Sequence, residues 1–324
     1  MAFQNRRPLI AEFDSISLTE LGARFKYNLR ETIGWCRQYG LLSSVVKCEV
    51  CVDNNGQHEI VCVLGARQQK IDGECWRCPT CKKVYSIRKG SFFERSHLQL
   101  WQILGITHIW CKNAGRSRGL PVDVVMEELD IGSNKTITDW NQFCRDIAVN
   151  YFANHPVQLG GPGRIVEIDE SLFAQRKYER GRIVPEQWIF GGWEKDTQCG
   201  FLIPVPRRDA LTLLPVIQQW IIPGTEIWSD MWAAYRNIDQ VGYTHGTVNH
   251  SLNFVDPVTR IHTNGVEGMW QKCKAKFKSM YGPTNRACVP DYLAEFMWSQ
   301  RFGKKNNPYY NFWMQIADEL YIVD

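Results

Sequence analysis

The chain has 324 residues, 44% of them hydrophobic and 22% charged, with a formal net charge of +4. That length suits about two domains, the composition is that of a globular protein, and no apolar run is long enough to span a bilayer. The first fifteen residues lack the apolar core of a secretory signal, so the expectation is an intracellular protein without a membrane partner. The small positive excess hints at an anionic partner.

Residues 16–42 read as two short helices, SLTELGARF capped by Ser17 and then LRETIGWCRQYGLL. They make a helical lead-in over residues 1–46, with a helix-turn-helix as the alternative. Twelve cysteines in such a chain point to metal ligands and buried thiols rather than disulfides. Six of them lie between Cys48 and Cys81. Cys48 and Cys51 form one C-x-x-C pair and Cys78 and Cys81 another, around a stretch of strand character. This is the pattern of a zinc ribbon, one structural Zn²⁺ held by four thiolates, over residues 47–93. Cys75 adds a half-knuckle, and either it or His58 could replace one ligand. Pro79 and the pair Lys82 and Lys83 suit the turn and rim of a ribbon and favour Cys78 and Cys81. The run SIRKGSFF reads as the last ribbon strand and its exit.

Helices follow over residues 94–158. Leu98, Trp101, Leu104, Ile109 and Trp110 mark the first, VDVVMEEL is the second, and residues 135–152 are the third, after I-G-S-N. A helix, a short glycine turn and a longer helix fit a helix-turn-helix; the alternative is an ordinary three-helix bundle. In the first reading Lys135, Thr136, Thr138, Asn141, Gln142 and Arg145 face DNA. Residues 159–163, L-G-G-P-G, read as a linker.

Mixed strands and helices fill residues 164–324, beginning with R-I-V-E-I-D-E-S. Ile165, Val166 and Ile168 favour a strand that ends at Asp169 and Glu170. A carboxylate on a core strand must be paired or metal-bound; the alternative is a strand end facing water. Glu170 points to the other face and is not a ligand. QWIFGGW and GFLIPV continue an antiparallel meander. A helix over residues 209–220 capped by Asp209, the strand TEIWS ending in Asp230, and a helix over residues 231–237 come next. A long helix within residues 262–281, capped by Thr263 or Asn264, and another over residues 290–301 complete the pattern. Trp232 reads as core, and the aromatic tail YYNFWMQIADEL packs back onto the domain.

Strand with Asp169, strand with Asp230, helix with Glu267 is the order of an RNase H-like fold, an α/β domain with a mixed sheet and flanking helices. There the first and fourth strands are neighbours, so their two acids come together. Three clustered carboxylates repel unless cations neutralise them, and such oxygen ligands select Mg²⁺ or Mn²⁺. Two ions about 4 Å apart serve phosphoryl transfer. Taken singly, Asp230 also reads as a helix cap and Glu267 as a first-turn acid on a helix dipole.

The segments IDES, WSDMWAAY, VNHSLNFVD and HTNGVEGMWQKCK, with WRCPTC and SIRKGSFF upstream, resemble the Merlin superfamily of cut-and-paste DNA transposases and its bacterial insertion-sequence relatives. The resemblance implies that Asp169, Asp230 and Glu267 are the metal-binding catalytic acids. Some relatives use an Asn of the H-T-N motif as the third residue. Asn264 and Glu267, three apart, share a helix side, and the carboxylate is the better Mg²⁺ ligand. The expected activity is metal-dependent cleavage at terminal inverted repeats and 3′-hydroxyl strand transfer, on double-stranded transposon ends and target DNA. Joining two ends calls for a homodimer or a larger homo-oligomer, in the nucleus if the host is eukaryotic.

Lys274, two turns beyond Glu267, is a candidate phosphate contact, and Arg176, Lys177, Arg180 and Arg182 a candidate DNA-gripping loop. The run of Lys272, Lys274, Lys276 and Lys278 otherwise reads as solvated surface. His245, His250 and His262 gather before the catalytic helix, to support the site or to serve structurally. The alternative function is a domesticated, non-catalytic, zinc-dependent DNA-binding protein.

Overall fold

The structure, a computed structural model, describes residues 13, 15–52, 56–57, 59–114, 119–174, 187–280, 286–303 and 307–320. His58 and the basic segment carrying Arg176, Lys177, Arg180 and Arg182 lie outside these residues. No helix among the described residues is long and apolar enough to cross a membrane. The chain divides into two compact units, residues 1–113, 120–147 and 304–324 in one, and 114–119 and 148–303 in the other.

In the first unit, α1 (Leu18–Phe25) opens on a capping box: the Ser17 hydroxyl takes the Glu20 amide and Glu20 returns to the Ser17 amide. Asn28 caps α2 (Leu29–Gln38) in the same sense. Phe13, Trp35 and Tyr39 pack together beneath them, with ring centroids 4.9–5.1 Å apart. A three-stranded antiparallel sheet follows: β1 (Val63–Ala66), β2 (Glu74–Arg77) and β3 (Val84–Ser86). The last strand stops at Ser86, earlier than the sequence suggests. Residues 87–99 turn instead, held by buried Arg88, which grips both oxygens of buried Asp72 at 2.6 and 2.7 Å and reaches the Leu98 carbonyl at 2.7 Å. Three helices come next: α3 (Leu100–Asn113), α4 (Val122–Glu128) and α5 (Asn134–Asn154), which leaves this unit after residue 147.

The second unit is built on a five-stranded sheet. Its strands are β5 (Ile165–Ala174), β6 (Gln187–Glu194), β7 (Cys199–Val205), β9 (Glu226–Asp230) and β10 (Thr244–Val248), and their spatial order is β10-β9-β5-β6-β7. β6 alone runs antiparallel, to β5 and β7; β9 pairs in parallel with β5 and with β10. In order of sequence this is 3-2-1-4-5 with the second strand reversed, the RNase H-like arrangement. Helix α6 (Ala210–Trp220) is capped by Asp209, whose side chain takes the Thr212 amide at 2.9 Å. Helices α7 (Asn264–Met280) and α8 (Val289–Phe302) follow β10. Two adjacent glycines of β6 admit helices to both faces. A Cβ at Gly191 would meet the Trp270 ring of α7 at 2.7 Å; one at Gly192 would meet Phe201, which packs on Trp220 of α6.

Three expectations need correction here, and one strand was not read. Residues 159–163 are not a free linker: β4 (Leu159–Gly160) pairs in parallel with β8 (Ile221–Ile222), and the Gly161 amide bonds Thr225 Oγ1 at 2.8 Å. Gly160 sits at φ +85° against Thr225, a position that tolerates no Cβ. β5 does not end at Asp169 but continues to Ala174. Residues 231–237 form no α-helix; two short 3₁₀ turns, Ala233–Tyr235 and Ile238–Val241, take that place. The edge strand β10 has no counterpart in the sequence reading. The aromatic tail forms α9 (Pro308–Gln315) in the first unit, where the Tyr309 hydroxyl donates to the Leu104 carbonyl at 3.1 Å.

Candidate active site

Parallel pairing decides which side chains meet. β5 and β9 register Val166 with Ile227 and Glu167 with Trp228. The pairing stops there; continued two residues past it, the same register would bring Asp169 level with Asp230, on strands whose usual spacing is about 4.8 Å. Glu267 enters from the first turn of α7. The three acids are each half-buried. Burial pushes the Asp169 carboxyl up to about 7, and repulsion from Asp230 and Glu267 adds to it, against the Glu170 amide and the Trp270 indole. Asp169 therefore senses the other two charges.

Each acid is tethered. Trp270 Nε1 donates to Asp169 Oδ2 at 3.1 Å, and the Glu170 amide to Asp169 Oδ1 at 2.8 Å. Asp230 Oδ1 accepts the Trp232 amide at 2.9 Å. Glu267 Oε1 accepts from the Thr263 hydroxyl at 2.9 Å, and His250 Nε2 lies 2.8 Å from that hydroxyl and 3.6 Å from the carboxylate. Asn264 is exposed at the start of α7, its amide 3.4 Å from His262 Nδ1. His245 is engaged elsewhere: its Nε2 lies 2.8 Å from Ser229 Oγ, and burial lowers its pKa.

The helix that carries Glu267 is held by an acid without an assigned role in the sequence reading. Glu167 is 1% exposed and shares the Asp169 face of β5. Its Oε2 accepts the amides of Gly265 and Val266 at 2.6 and 3.0 Å, and its Oε1 lies 3.4 Å from His262 Nδ1. So α7 is capped from a strand, not by the side chains of Thr263 or Asn264. Burial raises the Glu167 carboxyl above the usual range, while the helix amides and His262 pull it back. Gly265 makes this approach feasible, because a Cβ there would meet Trp193 at 2.3 Å and Glu167 Oε2 at 2.8 Å. A second acid at i+2 spacing on the strand was the available signal for Glu167. Trp270, three residues after Glu267, had none beyond helical spacing.

Glu170 is directed away from this face, as its strand position requires. It faces the buried Tyr235 hydroxyl, and burial lifts its carboxyl to about 7. Trp232 is not core: it is 36% exposed. Lys274 is exposed, its ammonium 5.7 Å from the Phe173 ring, whereas Lys276 of the same run is buried with Glu295 at 2.9 Å.

In the first unit the four knuckle cysteines come together, with Sγ atoms all within 4.8 Å of one another. Cys48 and Cys81 are 3.6 Å apart, and Cys51 and Cys78 3.8 Å. Tetrahedral zinc with bonds near 2.3 Å sets its sulfurs about 3.8 Å apart, so the donor set fits Zn²⁺. The Tyr85 hydroxyl and the Cys51 amide hold the Cys48 thiol well below its ordinary range. Cys75 is buried in β2, outside the four. Among the described residues no other group of three or more His, Cys, Asp or Glu is drawn as close, and the three sheet-edge carboxylates stand wider apart. On α5, Lys135 and Thr138 are exposed and Asn141 half-buried. Arg145 is 4% exposed with Nη1 on Gln142 Oε1, so its guanidinium is not offered to a surface partner.

Residues 158–300 match the family model described as the ISXO2-like transposase domain. An uncharacterized transposase-like protein of Haemophilus influenzae is 26% identical over 98 residues, 30% of this chain and 77% of that protein. Male abnormal protein mab-31 of Caenorhabditis elegans is 25% identical over 166 residues, 46% of this chain and 36% of that protein. Two solved structures are similar at low scores. The HTLV-2 integrase catalytic core domain in complex with magnesium has 11% identity and a TM-score of 0.27, over 43% of this chain and 84% of that one. The simian T-cell lymphotropic virus intasome in complex with PP2A regulatory subunit B56 gamma has 17% identity and a TM-score of 0.27, over 52% and 58%. At such scores the fold rests on the strand order described above. The domain match, whose range includes Asp169, Asp230 and Glu267, and the transposase-like relative support a transposase family for this chain.

Proposed function

We propose that this chain is a cut-and-paste DNA transposase of the Merlin group, with Asp169, Asp230 and Glu267 as its catalytic acids. One observation carries the reading: two acids, each two residues beyond the paired part of adjacent parallel strands, and a third on α7, with both others close enough to raise the pKa of Asp169. The donors are all oxygen and all half-exposed, which fits Mg²⁺ or Mn²⁺, two per site. Bound there, the ions would activate the attacking oxygen and stabilise the leaving one in both strand cleavage and strand transfer.

The chain's own part is to hold these acids in register. Trp270 fixes one oxygen of Asp169. Thr263 occupies one oxygen of Glu267, with His250 behind it. Glu167 fixes the start of α7 and thereby the height of Glu267 over the strand edge. The zinc ribbon and the helices after it bind the terminal inverted repeats, with Lys135, Thr138 and Asn141 as contacts, and Lys274 meets a phosphate near the acids. Two ends are joined, so the working form is at least a homodimer.

The test is a cleavage assay on the inverted repeats that bracket the coding segment. Asp169→Ala and Asp230→Ala are expected to abolish Mg²⁺-dependent cleavage and to leave end binding within a few-fold of the wild type. Cleavage retained by either variant would overturn the assignment.

A further inference from the structure

β7 runs parallel to β5, so its carboxyl end opens onto the same sheet edge as Asp230. Beyond Val205 the chain carries Arg208, whose guanidinium lies 4.2 Å from the Trp232 ring centroid and 4.7 Å from that of Trp188. Trp188 is on β6, paired with Leu172 of β5 and Val205 of β7, so it stands on the Glu170 face of the sheet and meets the acids' face only through Arg208 and Trp232 at the strand ends. Trp232 is fixed twice, by its amide to Asp230 Oδ1 at 2.9 Å and by Nε1 to the Arg208 carbonyl at 3.0 Å. Yet it remains 36% exposed, and Arg208 is exposed as well.

An indole that only filled space would turn inward. This one is locked to a candidate catalytic carboxylate and keeps part of its surface in solvent. Arg208 spends its faces on the indoles, which leaves the N–H edge of the guanidinium for an anion; its charge already acts on the Glu170 carboxyl, whose pKa it lowers against the burial. Stacking also fixes the long side chain in advance, so that less freedom is lost when it binds. A guanidinium edge suits a phosphate, and an exposed indole face suits any base.

We propose that Trp188, Arg208 and Trp232 form a nucleotide grip beside the three carboxylates, in which Arg208 takes the phosphate next to the scissile one and Trp232 stacks the attached base. The grip rests on the reading of the chain as a DNA-processing enzyme. It is sequence-tolerant, so it positions the strand for reaction at any end and does not select the repeat.

The experiment measures affinity by fluorescence anisotropy and cleavage by gel. The probe is a labelled terminal-repeat duplex, intact or with an abasic site at each nucleotide flanking the scissile phosphate. Anisotropy is read in Ca²⁺ and cleavage in Mg²⁺. Trp232→Ala is expected to weaken binding of the intact duplex by roughly 5- to 150-fold, and Trp232→Phe to restore most of it. One abasic position is expected to cost the wild type the same factor and to cost Trp232→Ala nothing further. Arg208→Ala is expected to lower the salt slope of binding by about one phosphate contact. Losses that multiply at every position, or a Trp232→Ala protein that binds as the wild type does, would overturn the stacking. An unchanged salt slope would overturn the phosphate contact. A wild type that binds but never cleaves defeats the transposase reading and leaves the grip judged on affinity alone. A wild type that binds no DNA defeats both.

Discussion

A carboxylate in the middle of a sheet costs several kcal/mol unless it is fully engaged, and Glu167 is engaged on both oxygens. Glu167→Ala leaves two helix-start amides without an acceptor, at about 1–3 kcal/mol. Urea unfolding is expected to report that loss. Under the proposed function, release of the α7 start also loosens Glu267, so end cleavage should fall more at limiting Mg²⁺ than at saturation. Equal losses at both would assign Glu167 to stability alone. Gly191 is the second such position. It faces Asp169 across β5 and β6, and the absence of a side chain there admits the Trp270 ring. Gly191→Ala is expected to cost about 1–3 kcal/mol as overpacking and to weaken the Trp270 tether on Asp169. Purified variants compared by thermal unfolding and Mg²⁺ titration would measure both effects. Glu167 was hard to read in the sequence because its partner amides are 98 and 99 residues away. The candidate trio Asp169, Asp230 and Glu267 was read from its order along the chain and from the resemblance, because singly Asp230 also reads as a helix cap and Glu267 as a first-turn acid.

At the scale of elements, the first, second, third and fourth strands of the sheet could be read from runs such as Q-W-I-F-G-G-W, whose burial on two faces makes them continuously apolar. β10 could not: T-H-G-T-V is short, half polar and on the sheet edge. β5 was cut short at Asp169 because a charge inside a strand reads as its end; the ladder with β6 carries the strand on to Ala174, and Trp270 and the Glu170 amide bond the carboxylate within it. α3 holds a different buried ioniser. His108 is 5% exposed, with Nε2 2.9 Å from the Ile16 carbonyl, so that nitrogen carries the proton. Burial pushes its pKa down to about 4. The folded pKa lies below the unfolded value of about 6.5, so the contribution is complete above pH 6.5 and is lost as pH falls through 4. A loss of up to about 3 kcal/mol follows. Asp169 and Glu170, both raised to about 7, act in the opposite sense, since acid relieves their burial. The clean measurement is therefore the difference between the wild type and His108→Gln, which keeps an N–H donor but takes no proton. Their urea midpoints should converge as pH drops from 7 to 4, and parallel pH curves would exclude His108 as the titrating group.

For the whole molecule the question is what holds a ribbon with so little core. Its strands have four, four and three residues. Val50, Val52, Val61 and Val63 around them are 49–62% exposed. Trp76, Tyr85 and Ile87 are buried, but apolar burial on that scale orders a small module weakly, and a metal on the four thiols would add to it. The other buried thiols are placed differently: Cys36, Cys111, Cys144 and Cys273 are each 0% exposed within helices. Their protection comes from packing and not from a bound ion; for Cys36 and Cys273, burial also pushes the thiol well above its ordinary pKa. Chelation is therefore expected to divide the cysteines into two classes. With a strong zinc chelator, Cys48, Cys51, Cys78 and Cys81 should become alkylated within minutes while the helical four stay protected, and metal analysis of the untreated protein should return one zinc per chain. Mg²⁺ should not restore protection, since a hard cation does not displace protons from thiols. Under the proposed function the chelated protein also loses end binding, whereas its Asp169, Asp230 and Glu267 unit keeps its fold. Uniform exposure of all eight thiols on chelation would mean that the metal holds far more than the ribbon, and a zinc-free protein with the four thiols protected would mean that it holds nothing.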